Sequence, residues 1–170
     1  VILLSSRMKT HIVGIIMNGV TGRMGKNQHL LRSMVEIIRQ GGVKISENET
    51  ILPDPVLVGR NEAKLKELTE LSGVKKYTTD LEKALDDPGY TVYFDAQTTG
   101  RRAEAVKLAA SRGKHVYCEK PTASDFKTAL EIYEHCEHAG VKHGVVQDKL
   151  WLPGILKLKR LIQKDFFGKI

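Results

Sequence analysis

A charged turn, Glu119-Lys120-Pro121, follows the apolar run 115–118 and contains the residue best suited to catalysis. A lysine ammonium beside a hydroxyl oxygen can stabilise developing negative charge on that oxygen or relay its proton. The run before the turn has the length of a buried strand, and α/β sheets bind ligands at the carboxyl ends of their strands. The sequence therefore predicts that Lys120 is a catalytic residue in a ligand crevice.

A glycine-rich loop near the start of the chain could bind phosphate. Residues 18–25 read NGVTGRMG, a G-x-x-G-x-x-G spacing that follows one apolar run and precedes a helical pattern. Glycines there permit a tight turn, let backbone N–H groups approach a pyrophosphate, and let the helix pack closely on the sheet. Three glycines could instead serve an ordinary loop, but the strand before them and the helix after them favour a dinucleotide site. The candidate cofactor contacts are Gly19, Thr21, Gly22, Arg23 and Met24.

The residues after the second predicted strand bear on the choice of dinucleotide. NAD sites usually carry Asp or Glu at this point, whereas the chain reads Gly59-Arg60-Asn61. A guanidinium is suited to the 2′-phosphate of NADP. The sequence therefore predicts that NADP is preferred over NAD, with Arg60 and Asn61 as contacts and Lys64 as a further phosphate contact. The alternative is that Arg60 is only a solvated side chain.

These residues must be positioned by a sheet, because from His11 the chain alternates short apolar runs with helical patterns. The six predicted strands cover residues 11–17, 56–59, 75–78, 91–96, 115–118 and 143–147. The predicted helices include about 23–40, one capped by Asn61, 102–112, 124–139 and one that begins at Pro153. This order predicts an α/β fold with a doubly wound parallel sheet, the Rossmann fold, in strand order 3-2-1-4-5-6. Residues 43–54 are polar with two breakers and are expected to form a surface insertion.

Composition restricts the class of protein. The 170 residues suffice for one domain, and the net charge of +7 comes from scattered basic residues, which argues against a nucleic-acid partner. Cys118 and Cys136 lack metal-ligand spacing and indicate a reducing compartment. No apolar run reaches the ~20 residues that cross a bilayer. We therefore expect a cytoplasmic protein with no metal, membrane or nucleic-acid partner. Histidines expected to be solvated or packed, and not functional, are His115, His135, His138 and His143.

The segment 113–123, GKHVYCEKPTA, resembles the G-K-H-V-x-x-E-K-P-x-A signature of the Gfo/Idh/MocA family, named after glucose-fructose oxidoreductase and inositol dehydrogenase. The resemblance extends over nearly all of residues 9–170 and includes the glycine loop and Asp95-Ala96. It implies an NAD(P)-dependent oxidoreductase that transfers a hydride between a nicotinamide cofactor and a sugar, polyol or related hydroxy compound. The protein would be a homo-oligomer when full length.

The resemblance also implies a division of the chain. Residues 1–8 would be a tag or upstream segment, 9–152 the NAD(P)-binding Rossmann domain, and 153–170 a bridging helix. The family's second α/β domain, with the usual acid–base partners, would lie beyond Ile170 and is lacking here. We therefore expect the 170 residues to be inactive alone.

Family roles transfer to the turn residue by residue. The lysine that matches Lys120 contacts cofactor and substrate, the glutamate that matches Glu119 helps to fix the loop, and Pro121 completes the cofactor-binding set. The Lys120–Pro121 bond is a candidate cis peptide, since cis bonds are far less costly before proline than elsewhere.

The chain departs from the family pattern after the fourth strand, where residues 97–104 read QTTGRRAE. Thr98 and Thr99 remain candidate cofactor contacts, because their hydroxyls can form hydrogen bonds. Arg102 stands where the family usually has histidine, so it is a candidate contact for an anion or an altered substrate. Lys149 likewise replaces an arginine of the family.

Two alternatives stay open. The Gly-Arg-Met-Gly end of the loop, residues 22–25, also resembles dihydrodipicolinate reductases, although the Glu119-Lys120-Pro121 turn argues against them. The second alternative is a non-enzymatic nucleotide-binding or sensing module, which turnover would distinguish from an enzyme.

Overall fold

The computed structural model describes residues 8–169. Residues 1–7 of the expected leading segment lie outside the described residues, and Met8 is exposed just before the first strand. The seven strands within 8–169 are β1 (Lys9–Asn18), β2 (Val43–Lys44), β3 (Glu49–Val58), β4 (Lys76–Thr78), β5 (Tyr90–Asp95), β6 (His115–Cys118) and β7 (His143–Val145). The α-helices in the same range are α1 (Val35–Arg39), α2 (Glu62–Ser72), α3 (Leu81–Asp86), α4 (Thr99–Ser111), α5 (Phe126–His138) and α6 (Pro153–Gln163).

All seven strands form one sheet in the order β2-β3-β1-β5-β6-β7, with β4 paired to β3. The five pairs that link β4, β3, β1, β5, β6 and β7 are parallel. Without β2 this is the doubly wound order 3-2-1-4-5-6, so the predicted Rossmann fold is confirmed. Because the connections leave β1 in opposite directions, the carboxyl ends of β1 and β5 flank the crevice where such sheets bind ligands.

The interpretation of residues 43–54 as a surface insertion was wrong. These residues form β2 and the first half of β3, which pair antiparallel at Lys44 and Thr50. The misleading signal came from the polar residues and from Pro53, with Pro55 directly after the segment, since proline cannot donate to a strand ladder. Both prolines lie in the part of β3 that pairs with neither β2 nor β4, and β1 pairs along the other side. A strand can therefore pass through them.

The helix predicted at about 23–40 is present, but its first part has a geometry that the sequence did not predict. Gly25–Met34 is a π-helix, which continues into α1. A π-helix makes i→i+5 hydrogen bonds, so its turns are wider than those of an α-helix, and such turns occur frequently at functional sites. This one begins directly after the glycine loop.

The core forms one layer on each face of the sheet, because alternate residues of a strand point to opposite faces. The layer that packs against α4 and α5 includes Ile16, Val58, Tyr93, Val106, Val116 and Ile132. The layer that packs against the π-helix and α2 includes Met17, Leu57, Phe94, Leu30 and Leu65. Both layers extend to the carboxyl ends of the strands and hold the site residues in place.

After β7 the chain forms a 3₁₀-helix, Asp148–Trp151, and then α6, with Pro153 in its first turn. No residue of α6 is buried, and its apolar side chains, such as Leu156 and Ile162, are exposed. The assignment of 153–170 as a bridge, and of 9–152 as the Rossmann domain, stays a prediction. Every helix within residues 8–169 is too short or too polar to cross a bilayer.

Candidate functional site

The glycine loop turns tightly at the carboxyl end of β1. Gly19 has a φ of 85°, and a Cβ on it would lie 2.7 Å from the carbonyl carbon of Ala96. A Cβ on Gly25 would lie 2.5 Å from the carbonyl oxygen of Gly19. Both contacts involve backbone atoms that a flexible side chain cannot relieve. The two glycines therefore allow the turn and let the π-helix pack against it.

The middle glycine leaves the loop open to a ligand. A Cβ on Gly22 would meet only the carbonyl oxygen of Gly19, at 3.4 Å, and the residue is exposed. The first N–H groups of a helix lack partners within it and carry partial positive charge, and the helical turn that leads into the π-helix begins at Arg23, directly after Gly22. An exposed backbone beside a helix N-terminus fits a pyrophosphate. Thr21 is half-buried, and Arg23 and Met24 are exposed at this corner.

Gly59, the residue before Arg60, lies beside the same loop. A Cβ on Gly59 would lie 3.2 Å from Cγ2 of Thr21, so the end of β3 adjoins the glycine loop. Arg60 follows Gly59 and is exposed. The side chain of Asn61 caps α2, as predicted, by accepting a hydrogen bond from the backbone N–H of Lys64 at 3.0 Å. That oxygen is already engaged, which makes Asn61 a weaker candidate than Arg60 for a cofactor contact.

The Glu119-Lys120-Pro121 turn is fixed by its own backbone and carboxylate. The Lys120–Pro121 bond is cis, as predicted. The backbone N–H of Glu119 donates to the carbonyl of Asp95 at 2.8 Å, and the backbone N–H of Lys120 donates to Glu119 Oε2 at 2.9 Å. Glu119 is 6% exposed, whereas Lys120 is exposed. The carboxylate is therefore held inside while the lysine faces outward.

A cavity of about 400 Å³ lies in front of this turn. It is lined by Glu119 and Lys120, by residues of the π-helix, and by the segment after β7. The other lining residues are Met24, Gln28, His29, Ser33, Val146, Asp148 and Lys149. The structure thus brings two predicted residues that are far apart in the chain, Met24 and Lys120, to one cavity. Its mixed charges and amide and hydroxyl groups suit a polar, hydroxylated ligand.

The sequence interpretation missed His29. Its Nε2 lies 2.5 Å from Glu119 Oε1, and its ring centroid lies 4.6 Å from that of Phe94. The side chain of His29 is 18% exposed and that of Glu119 is 8% exposed. The one signal for His29 was its position, one turn beyond Gly25 on the helix that leaves the phosphate loop. We call His29, Glu119 and Lys120 the cavity cluster.

A second polar group, which we call the inner network, lies behind the turn and consists of Asn18, Tyr93, Asp95, Gln97 and Arg102. The Tyr93 hydroxyl donates to Asp95 Oδ2 at 2.7 Å, and Asn18 Nδ2 donates to the Tyr93 oxygen at 2.9 Å. Gln97 Nε2 donates to Asp95 Oδ2 at 2.9 Å. Burial, together with the Asp95 carboxylate, raises the pKa of Tyr93 well above its usual value, so the phenol stays protonated.

Arg102 binds protein groups and not an external anion, so its prediction as an anion or substrate contact was wrong. It is 1% exposed, and its Nε donates to Asp95 Oδ1 at 3.1 Å. Nη2 donates to the carbonyl of Gln97 at 2.9 Å, and Nη1 donates to the carbonyl of Pro121. Since burying a guanidinium requires a charged partner and filled donor sites, Arg102 ties the end of β5 to the turn that follows β6.

The remaining residues considered from the sequence are two threonines at the start of α4 and four histidines. Thr98 is exposed just before α4, and Thr99 is the half-buried first residue of that helix, which starts earlier than the predicted 102. His135 bonds to Ser111 at 2.8 Å and His143 bonds to Glu137 at 2.7 Å. These two histidines, His115 and His138 do not line the cavity. Among residues 8–169, no three His, Cys, Asp or Glu side chains are grouped to hold a metal ion.

Comparison with known proteins gives a consistent result. The family model GFO_IDH_MocA, described as an oxidoreductase family with an NAD-binding Rossmann fold, matches residues 53–147. A D-xylose dehydrogenase of Paenarthrobacter nicotinovorans is 48% identical over 162 residues, which are 95% of this chain and 42% of that protein. A D-xylose 1-dehydrogenase (NADP(+)) of Haloferax volcanii is 29% identical over 99 residues, which are 58% of this chain and 29% of that protein.

Solved structures share the fold. Levoglucosan dehydrogenase in complex with NADH and levoglucosan superposes with a TM-score of 0.77 at 25% identity, covering 95% of this chain and 41% of that one. The chain spans about two fifths of the length of the D-xylose dehydrogenase and of the levoglucosan dehydrogenase, 42% and 41% respectively.

Proposed function

The chain belongs to the Gfo/Idh/MocA oxidoreductase family, and we propose that it supplies the NADP-binding part of a dehydrogenase acting on a sugar, polyol or related hydroxy compound. The observation that supports this proposal most directly is that one cavity is lined both by residues of the helix that follows the glycine loop and by Lys120. The family match includes the Glu119-Lys120-Pro121 turn, which favours this proposal over a dihydrodipicolinate reductase.

The residues present fit a dinucleotide. Gly22 leaves the backbone at the loop open, and the close contacts at Gly19 and Gly25 preserve the turn that exposes it. In our proposal the loop and the start of the π-helix bind the pyrophosphate, with Thr21, Arg23 and Met24 around it. Thr98 and Thr99 would hydrogen-bond the cofactor across the crevice from the loop.

The proposed reaction oxidises an alcohol to a carbonyl. The nicotinamide ring supplies the hydride acceptor, and the hydroxyl proton must leave the same substrate. The Lys120 ammonium donates a hydrogen bond to the hydroxyl oxygen and stabilises its negative charge, while the hydroxyl proton passes to a general base of the full-length enzyme or to water. Glu119 holds the backbone of Lys120 through the 2.9 Å hydrogen bond, which fixes where the lysine begins. Lys149 and Asp148 also line the cavity and would contact the other substrate hydroxyls.

We propose that Arg60 determines the preference for NADP over NAD. Relatives that match this chain include proteins named with NADP(+) and crystallised with NADH, so the family leaves both cofactors possible. Arg60 is exposed and follows Gly59, which lies beside Thr21 at the corner where Rossmann sites hold the adenosine ribose, and its guanidinium can form two hydrogen bonds to a 2′-phosphate. A carboxylate at that position would repel the same phosphate.

The test compares NADPH and NADH binding to the full-length gene product by fluorescence titration. In Arg60→Asp we expect the Kd for NADPH to rise about 10- to 100-fold and the Kd for NADH to change less than about threefold, since hydrogen bonds to charged groups contribute ~1.5–3 kcal/mol. Lys127→Asp, which makes the same charge change on α5, is the control. An unchanged ratio of the two Kd values would refute the cofactor choice, and absence of binding by the wild type would refute the site.

The location, the oligomeric state and the range of partners also stay proposals. Both cysteines of the chain, Cys118 and Cys136, are buried free thiols, which supports a cytoplasmic location. We also propose that the full-length protein is a homo-oligomer and binds neither nucleic acid nor membranes. Size-exclusion chromatography with light scattering would test the oligomer.

A further inference from the structure

We propose that His29 is a positioning residue for Lys120, acting through the carboxylate of Glu119. The proposal rests on the proposed dehydrogenase function for its catalytic consequence, although the contact itself does not. His29 Nε2 lies 2.5 Å from Glu119 Oε1, and Glu119 Oε2 accepts the backbone N–H of Lys120 at 2.9 Å. One carboxylate thus joins an imidazole on the helix after the glycine loop to the backbone of the candidate catalytic lysine.

The geometry leaves Glu119 few other orientations. Its side chain is 8% exposed, and each of its two oxygens has one of these contacts. A buried carboxylate requires hydrogen-bond donors, and loss of one donor lets the group rotate or draw in water. Because Oε2 accepts a hydrogen bond from the backbone N–H of Lys120, rotation of the carboxylate would release the backbone of Lys120 and so move its ammonium.

His29 itself is held from two sides. Its ring packs on Phe94 of β5 at a centroid distance of 4.6 Å and an interplanar angle of 57°, and its Nε2 contacts Glu119 Oε1. The ring also lines the cavity that Lys120 faces. These contacts place the imidazole between the end of β5 and the turn that follows β6, so a small movement of the ring would reach that turn.

The π-helix gives a physical reason why this contact exists. In Gly25–Met34 the wider i→i+5 turns change the direction of side chains relative to an α-helix of the same sequence. His29 and the buried Leu30 both lie in this segment, so the helix anchors in the core and still presents the ring to Glu119. The same helix starts at the proposed pyrophosphate site. His29 therefore links the part of the chain that grips the cofactor to the part that holds the lysine.

The experiment uses four variants of the full-length gene product. His29→Leu and His29→Asn remove the contact, because Leu has no donor and Asn is too short to reach Glu119. His29→Gln retains a donor at nearly the same reach as Nε2. Asn27→Leu, an exposed change on the same π-helix that does not line the cavity, is the control.

Two measurements are made on each variant. Turnover of a sugar or polyol with NADP gives kcat and KM, and hydrogen–deuterium exchange of the peptide that contains Lys120 reports on the turn without any need for catalysis. We expect His29→Leu and His29→Asn to lower kcat about 10- to 100-fold and to speed exchange in that peptide, with KM for NADP within about threefold. His29→Gln should restore most of both losses, and Asn27→Leu should change neither.

The outcomes separate this proposal from the proposed function. If the wild type neither binds NADP nor turns over any polyol, the dehydrogenase proposal fails, and the exchange measurement still decides whether His29 holds the turn. Wild-type exchange in both His29→Leu and His29→Asn would overturn the positioning role. A His29→Gln variant as impaired as His29→Leu would also overturn it, since a donor at the position of Nε2 would then not be enough to hold the turn. If His29→Leu does not fold, His29→Asn and His29→Gln supply the comparison.

Discussion

The inner network and the cavity cluster lie on opposite sides of one turn and contain similar chemical groups. Each pairs a carboxylate with a nitrogen base next to an aromatic ring: Asp95 with Arg102 near Tyr93, and Glu119 with His29 near Phe94. They differ in whether a charged group stays accessible to a ligand. In the inner network the donors of Arg102 reach Asp95, Gln97 and Pro121, whereas the cavity cluster leaves the Lys120 ammonium exposed.

This difference separates groups that hold the site from groups that can react. Within the described residues, every fully buried side-chain nitrogen and oxygen has at least one hydrogen-bond partner, so the inner network leaves no buried polar atom unpaired. A cation that faces a cavity can still bind a substrate oxygen. Polar residues of the same type at one sheet edge thus divide into a scaffold and a reactive surface according to their access to water.

The largest expected effect tests the scaffold side. Arg102→Met should lower the free energy of unfolding by about 3–5 kcal/mol, because it leaves the buried carboxylate of Asp95 without its cation. Chemical denaturation measures this loss. Arg101→Met, at the exposed neighbouring arginine, should change the unfolding free energy by less than about 0.5 kcal/mol. If both variants cost the same small amount, the inner network does not hold the turn.

The second-largest expected effect measures how well water is excluded from the buried residues around the inner network. Burial raises the pKa of Cys118, which is 2% exposed, from 9.0 to about 11. The folded state therefore binds the thiol proton more tightly than the unfolded chain does. The resulting stability is fully present below the unfolded pKa of 9.0 and is lost as the pH rises through the folded pKa of about 11.

The loss due to Cys118 should approach about 2–3 kcal/mol at the alkaline end, since each pKa unit corresponds to ~1.4 kcal/mol. Other groups also titrate in this range, so the useful quantity is the difference between the wild type and Cys118→Val. Denaturation at pH 8 and at pH 10.5 should show the advantage of the wild type shrinking as the pH rises. A difference independent of pH would mean that water reaches the thiol.

Local signals in the sequence were enough for the fold and for part of the site. The alternation of apolar runs with helical patterns gave the strand order, because parallel strands joined by helices permit few arrangements. Gly19, Gly25 and the turn at Lys120 were found for the same reason, since each depends on residues adjacent in the chain.

What the sequence did not predict depends on contacts between distant residues. His29 meets Glu119 across 90 positions, and the helix spacing alone cannot show that a π-turn directs the ring inward. Arg102 resembled a ligand contact because burial is invisible in a sequence, and an exposed arginine is the usual case. The start of β3 was hidden by Pro53 and Pro55, whose effect depends on which side of the strand is paired.

The smallest expected change in stability belongs to the reactive side, and it is the most informative one. Lys120→Met should alter the free energy of unfolding by less than about 0.5 kcal/mol, because the ammonium is exposed and its backbone contact to Glu119 survives the substitution. The same variant should lower kcat of the full-length gene product about 10²- to 10⁴-fold, the range for loss of a group that assists proton transfer.

The two numbers together decide the assignment. Lys127→Met, an exposed lysine on α5, should leave both stability and kcat unchanged and controls for loss of one positive charge. A Lys120 variant that unfolds as readily as Arg102→Met would move the lysine into the scaffold. One that folds normally and turns over at the wild-type rate would remove it from the reaction, because an ammonium that stabilises the alkoxide cannot be dispensed with at no kinetic cost.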